Sequence, residues 1–338
     1  MRFVLTGGGT GGHLVIAKAL MEALNERGHE ALFIGSTSGQ DRMWFEDAEG
    51  FTHTYFLPTT GVVNQRGLKK FAALWRISKA FLHSRKLLKK HRIDAVISVG
   101  GFSAAPASFA ALNMGLPLFI HEQNAVTGRL NRLLKSRATR FFSSYDTDSA
   151  VRDYPVSQAV FETARVRNKV ERLIFLGGSQ GAAFINDLAL SVAVELKSRG
   201  IAITHQCGER DYERVKEAYA ALNVDVDLVA FTKEMPKLLG QSDLAVSRAG
   251  ASTLWELCAN GLPALYIPFP YAAADHQYHN ASFIVEQGLG WCERQSDGVR
   301  ERLMAILDND LETKSSELMK LCRPGGAEKI VIAIEEAL

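Results

Sequence analysis

Short apolar runs alternate with longer stretches of helical spacing along nearly the whole chain. The clearest runs are residues 2–6, 30–34, 93–99, 116–120 and 139–143, then 171–176, 201–205, 226–230, 243–247 and 263–267. Alternation of this kind predicts parallel sheets with helices on both faces. In such sheets ligands bind beyond the carboxyl ends of the strands. Glycine loops stand at those positions here.

The pattern repeats. Arg2-Phe-Val-Leu-Thr-Gly7-Gly8-Gly9-Thr10-Gly11-Gly12 is echoed by Arg172-Leu-Ile-Phe-Leu-Gly177-Gly178-Ser179-Gln180-Gly181-Ala182, about half a chain later. Val99-Gly100-Gly101-Phe102-Ser103 is echoed by Ser247-Arg248-Ala249-Gly250-Ala251-Ser252, and Gly115-Leu116-Pro117 by Gly261-Leu262-Pro263. Three echoes in one order predict two similarly built halves. The reading is two doubly wound α/β domains facing across a cleft, with residues 154–169 joining them. The uncharged stretch from Ala95 to Ile120 is long enough to span a bilayer. Its glycines and prolines favour strand, loop, helix, turn and strand instead.

Composition changes this picture only when it is divided. The 338 residues carry 39 Lys plus Arg and 37 Asp plus Glu, a net charge of +2 that argues against a dedicated nucleic-acid binder. Residues 1–160 nevertheless hold 20 basic and 12 acidic side chains, leaving 19 and 25 for the rest. From Lys69 to Arg92 there are nine basic residues and no acid. Two readings of that stretch stand: an amphipathic core helix with a solvated basic face, or a helix resting on an anionic membrane. The four cysteines form no C-x-x-C pair and no zinc pattern, which suits a reduced, cytosolic chain.

Gly7-x-Gly9-x-x-Gly12 matches the dinucleotide fingerprint, yet the second strand ends Gly35-Ser36-Thr37-Ser38, without the acid that would hold a nicotinamide cofactor's ribose. Gly177–Ala182 is the better diphosphate cradle, because glycine backbone at a helix N-terminus presents N–H groups to phosphate. His13 opens a helix, where the imidazolium is disfavoured and a neutral, proton-accepting ring is favoured. In His121-Glu122-Gln123-Asn124, Glu122 is placed to pair with His13 or act as a base. Thr253-x-x-Glu256 reads as a capping box whose carboxylate also suits ribose hydroxyls. Asp275-His276-Gln277 suits sugar hydroxyls better than a metal.

Taken in order, these motifs resemble the MurG family, the lipid-linked peptidoglycan N-acetylglucosaminyltransferases of bacteria. The resemblance covers essentially the whole chain. It implies a GT-B fold, with an acceptor- and membrane-binding domain at 1–155 and a donor domain at 156–325. A final helix at 326–338 is expected to cross back to the first domain. The implied reaction is inverting transfer of GlcNAc from UDP-GlcNAc to the C4 hydroxyl of the muramoyl sugar of lipid I, giving β-1,4-linked lipid II. No cofactor and no metal are implied, nor any nucleic-acid partner. The implied location is peripheral, on the cytoplasmic face of the inner membrane.

Residue by residue, the resemblance places Ser179, Gln180, Gly181, Thr232, Arg248, Ala251, Ser252, Thr253, Glu256, His276 and Gln277 on the donor. Thr10, Gly11, Gly12, Gly100, Gly101, Phe102 and Ser103 fall on the acceptor. His13, Asn124 and Glu122 fall at the reacting hydroxyl, with His13 the candidate base. Phe71, Trp75, Lys79 and Leu82 fall on an anionic membrane surface. Two positions depart from the family pattern: Ile16 replaces a proline, and Ser157 replaces a linker arginine, for which Arg165 is the candidate substitute. The alternatives are a UDP-GlcNAc 2-epimerase, and a nucleotide-sugar or dinucleotide-binding module.

Overall fold

The structure is a computed structural model that describes residues 1–59, 68–178 and 181–338, with backbone alone for 68–74. The chain divides into two compact units, Met1–Pro155 with Gly325–Leu338, and Val156–Pro324.

In the first unit the chain runs β1 (Arg2–Gly7), α1 (Gly11–Glu26), β2 (Glu30–Ser36), α2 (Asp41–Phe45), β3 (His53–Leu57) and α3 (Leu68–Lys90). It continues β4 (Ala95–Gly100), α4 (Ala105–Met114), β5 (Leu118–Glu122), α5 (Arg129–Leu134) and β6 (Arg140–Ser143). All pairings are parallel, in the order β3-β2-β1-β4-β5-β6. Phe3, Val4 and Leu5 are all buried because helices cover both faces of the sheet. Val4 pairs with Leu32 and Val96, and these join Leu87, Leu88, Ala107 and Ala110 in one core. The uncharged stretch from Ala95 forms β4, α4 and β5, and no helix among the described residues is long and apolar enough to cross a membrane.

The second unit holds α6 (Gln158–Glu162), β7 (Arg172–Leu176), α7 (Ala183–Ser198), β8 (Ala202–Gln206), α8 (Tyr212–Ala221), β9 (Asp227–Val229) and α9 (Met235–Gln241). Then follow β10 (Leu244–Ser247), α10 (Ala251–Asn260), β11 (Ala264–Tyr266), α11 (His276–Val285), β12 (Trp291–Cys292), α12 (Val299–Ile306) and α13 (Glu312–Leu321). Its sheet is again parallel, in the order β12-β11-β10-β7-β8-β9. The edge strands β3 and β12 answer to none of the apolar runs. The first mixes polar and apolar residues and the second is two residues long, so neither forms an apolar run, although Leu57 and Trp291 are buried in the cores.

Arg167 staples the second unit from inside. It is 1% exposed and donates to Leu239 O and Ser242 O at the end of α9, and to Asn260 O at the end of α10. A cation suits two helix C-termini. Burial lowers its pKa to about 9. Arg165 lies beside it, bonding Gly240 O at 2.7 Å and Asp243 Oδ1 at 2.6 Å.

The last helix, α14 (Gly326–Glu335), belongs to the first unit and packs on α1. Arg27 and His29 hold Glu335, with Arg27 Nη2 and His29 Nε2 each 2.6 Å from the carboxylate. The Arg27 hydrogen bond, then that of His29, holds this carboxyl at about 2, below its usual range.

Candidate functional site

In the first unit two glycine turns interlock. Gly7 has φ +124°, and a Cβ there would meet Gly100 O at 2.4 Å. Gly101 has φ +81°, and its Cβ would meet Gly8 O at 2.2 Å. Only glycine tolerates both the conformation and the approach. Gly8 N–H donates to Gly100 O at 3.1 Å, and Gly9 N–H donates to the Asp41 carboxylate. Asp41, fully buried at the start of α2, also accepts from Ser36 N–H at 2.8 Å. Asp41 takes up the Gly9 N–H, so that donor is not open to a dinucleotide phosphate. The second strand also ends without the acid that would hold a nicotinamide ribose.

His13 stands in the first turn of α1. Its Nδ1 is 2.9 Å from the Thr10 hydroxyl and its Nε2 is 2.9 Å from Gln123 Nε2. With the Gln123 amide donating to Nε2, the ring carries its proton on Nδ1 and donates to Thr10, a tautomer inferred from this network. A Cβ on Gly100 would lie 3.4 Å from His13 Nε2, so that nitrogen faces the second glycine turn. Phe102 packs against Gly9, and Ser103 is buried with no partner for its hydroxyl among the described residues.

Glu122 does not pair with His13. Its Oε1 accepts from Asn124 N–H at 3.0 Å, and its Oε2 accepts from Gly128 N–H and Asn131 Nδ2, each at 2.9 Å. A carboxylate engaged by three donors shapes the loop that carries Gln123 and Asn124, and it is poorly placed to take a substrate proton. The polar contact to His13 comes from Gln123, a residue the sequence did not single out. His121 is buried below, and loss of hydration lowers its pKa to about 3.

In the second unit, Ser179 and Gln180 lie outside the described residues. Gly177 N–H donates to Gln206 O, and Gly181 N–H donates to Gly178 O. Thr232 accepts from Glu234 N–H at 2.9 Å ahead of α9, next to Phe231, which is 59% exposed. Arg165, bound to Gly240 and Asp243, is not free to stand in for a linker arginine.

The capping-box reading of Thr253 and Glu256 is corrected. Helix α10 starts at Ala251 with Gly250 as its N-cap, so Thr253 is already inside the first turn and Glu256 in the second. No side chain caps this helix. Its first turn, Ala251 to Thr253, carries the partial positive charge of a helix N-terminus, which suits an anion. Arg248 lies just before it, donating to Ile267 O at 3.0 Å and Pro268 O at 3.3 Å. Its Nη2 also donates to Gln295 Oε1 at 3.2 Å, and burial lowers its pKa. Burial raises the Glu256 carboxyl to about 7.

Ahead of α11, Ala274 and Asp275 both have φ +52°, a conformation that costs non-glycine residues about 1 kcal/mol or more. Asp275 is held there by Arg294 at 2.7 Å. Gln277 Oε1 accepts from Phe269 N–H at 2.9 Å, and His276 Nδ1 is 2.8 Å from Ala273 O. Among the described residues no group of three His, Cys, Asp or Glu side chains is placed to hold a metal.

On α3, Ala80, Leu87 and Leu88 face the core while Trp75 and Leu82 are 60% and 54% exposed. Lys79 Nζ sits 3.6 Å from the Trp75 ring centroid, a cation–π contact. The side chain of Phe71 lies outside the described residues.

Two doubly wound parallel sheets, each with a glycine turn and helix N-terminus at its carboxyl edge, make the GT-B fold. The chain belongs to glycosyltransferase family 28, and within it to the MurG family. Residues 3–143 match the glycosyltransferase family 28 N-terminal domain and residues 172–329 its C-terminal domain. The chain is 60% identical over 338 residues to the UDP-N-acetylglucosamine–N-acetylmuramyl-(pentapeptide) pyrophosphoryl-undecaprenol N-acetylglucosamine transferase of Sulfurimonas denitrificans, covering 100% of this chain and 99% of that one. The like-named protein of Wolinella succinogenes is 57% identical, with 98% of each chain covered. Among solved structures, Acinetobacter baumannii MurG superposes with a TM-score of 0.80 at 27% identity, over 99% of each chain.

Proposed function

We propose that this protein transfers GlcNAc from UDP-GlcNAc to the C4 hydroxyl of the muramoyl sugar of lipid I, forming lipid II for peptidoglycan. The observation that carries the reading is the full-length 60% identity to a transferase of that name. The site residues give it a mechanism.

The acceptor oxygen attacks the anomeric carbon as the bond to the UDP β-phosphate breaks, so the centre inverts and the product is β-1,4-linked. The hydroxyl proton passes to His13 Nε2 once the acceptor displaces the Gln123 amide. Nδ1–H stays on Thr10 and stabilises the imidazolium that forms. Negative charge growing on the departing diphosphate meets the N-terminus of α10 and the Arg248 guanidinium. Both are fixed before reaction, so they favour the transition state over the ground state. The chemistry described draws on protein groups alone and needs no cofactor. Glu256 accepts from ribose hydroxyls, while the Phe231–Thr232 segment meets the base. Ser179, Gln180 and Gly181 hold the diphosphate, and His276 and Gln277 hold the sugar. Gly11, Gly12, Gly100 and Gly101 carry the acceptor diphosphate. Trp75, Lys79 and Leu82 rest on the anionic inner membrane from its cytoplasmic side, where a lipid-linked acceptor must be met.

The test is incubation with UDP-GlcNAc, with and without a soluble lipid I analogue. UDP release only with acceptor is the expected result. UDP-ManNAc formed without acceptor would sink the reading in favour of an epimerase.

A further inference from the structure

Two backbone segments that the donor reading places on the nucleotide flank β8, Gly177–Gly178 after β7 and Ala230–Thr232 after β9. Strand β8 lies between them, and its last residue joins the two. Gln206 is 4% exposed, and its Nε2 donates to Gly178 O and to Ala230 O, each at 3.0 Å. Its own carbonyl accepts from Gly177 N–H at 2.9 Å. One side-chain nitrogen thus holds a carbonyl from each segment.

Two N–H groups on a single planar nitrogen are what two facing carbonyls require. A methionine of similar length offers no donor, and a glutamate would set its oxygens against both carbonyls. Holding these carbonyls also has an electrostatic use. Gly178 has φ +73°, where glycine backbone reorients at little cost. A carbonyl turned toward a diphosphate would present an acceptor where the ligand needs donors. Among the described residues the other partner of the Gly178 carbonyl is the N–H of Gly181.

We propose that Gln206 is the positioning residue that fixes the diphosphate loop and the base-contacting turn at one spacing, and so sets affinity for a uridine diphosphate. This rests on the reading that the second unit binds UDP-GlcNAc. Gln206 acts on the nucleotide half of the donor, through backbone it holds, and touches neither sugar nor acceptor.

The experiment compares the full-length wild type with Gln206→Met and Gln206→Glu. UDP and UDP-GlcNAc affinities are measured by calorimetry, with donor KM, acceptor KM, kcat and thermal unfolding alongside. Gln206→Met is expected to weaken UDP and UDP-GlcNAc alike by about tenfold, two neutral hydrogen bonds' worth. Gln206→Glu should weaken both further. The kcat at saturating donor and the acceptor KM should stay within about twofold. Wild-type affinities in the Met variant overturn the proposal. So does a loss shared by donor, acceptor, kcat and unfolding temperature, which marks a structural role only. If Gln206→Glu does not fold, the Met variant decides. A wild type that binds neither UDP nor UDP-GlcNAc overturns instead the donor reading on which the proposal stands.

Discussion

The two glycine loops after β1 and β7 share a sequence pattern and a place in their sheets, but their surroundings differ in charge. In the first, Gly9 N–H bonds the buried Asp41 carboxylate and Gly8 N–H bonds Gly100 O. In the second, the tie is the neutral Gln206 amide, which grips a carbonyl, and among the described residues no carboxylate bonds the loop. A carboxylate holding the Gly9 N–H removes that donor from any ligand. The Gln206 amide takes up carbonyls and no N–H group, while Gly177 N–H and Gly181 N–H are engaged by backbone carbonyls. The same turn is therefore tied through an N–H by a carboxylate in one unit and through a carbonyl by a neutral amide in the other.

The largest effect that tests this contrast is at His13, which follows the first loop. His13→Ala is expected to lower kcat at least about a hundredfold, the range of a lost general base. UDP-GlcNAc affinity should stay within about twofold, because the groups proposed to bind the donor belong to the second unit. Near-normal turnover would move the proton to bound water, since Glu122 is already engaged by three donors.

Next comes the first loop itself. Asp41→Ala leaves Gly9 N–H and Ser36 N–H without their buried acceptor, at about 1–3 kcal/mol per group. A loss near 3 kcal/mol in the unfolding transition of the first unit is expected, with Asp41→Asn milder because one acceptor oxygen remains. An unchanged transition in Asp41→Ala would break the claim that this loop depends on its carboxylate.

Asp41 shows why part of the site was hidden. It lies 32 residues from Gly9, on a five-residue helix in a polar stretch, and nothing local marks it as buried. The central strands were legible because helices on both faces demand unbroken apolar runs, as in Phe3 to Leu5. Edge strands β3 and β12 carry no such demand. Glu122 was found but misassigned, because spacing shows that a carboxylate follows a strand and not which amides it meets. Thr253 and Glu256 fit a capping box at the level of letters, while Gly250 starts the helix earlier. Gln206, polar at a strand end, signals only once the strand order sets it between two loops.

A smaller effect separates the units by pH. Burial disfavours the charge on Glu256 and raises its carboxyl to about 7. Ribose hydroxyls donate only to the ionised form with full effect. Affinity for UDP-GlcNAc, whose diphosphate has no group titrating in this range, should therefore hold above pH 7 and fall about tenfold for each pH unit well below it. Calorimetry between pH 8 and pH 6 reads this directly, and Glu256→Gln should bind more weakly and flatten the profile. A wild-type affinity independent of pH would remove Glu256 from the ribose.

The smallest expected effect concerns the outer face of α3, in the unit that carries the excess of basic residues. Trp75 and Leu82 are exposed by more than half, so replacing both with Ala changes folding stability by about 0.5 kcal/mol or less. Their apolar surface counts only where something covers it. On vesicles containing anionic lipid, the double variant should partition about fivefold more weakly, with turnover of a soluble acceptor analogue unchanged. Lys79 remains to hold the electrostatic part, so added salt should release the variant at lower concentration than wild type. The control is Val194→Ala on α7 of the other unit, 54% exposed and expected to leave vesicle binding as it was. Equal losses from both faces would mean that charge alone recruits the protein, and that the first unit has no apolar contact of its own with the bilayer.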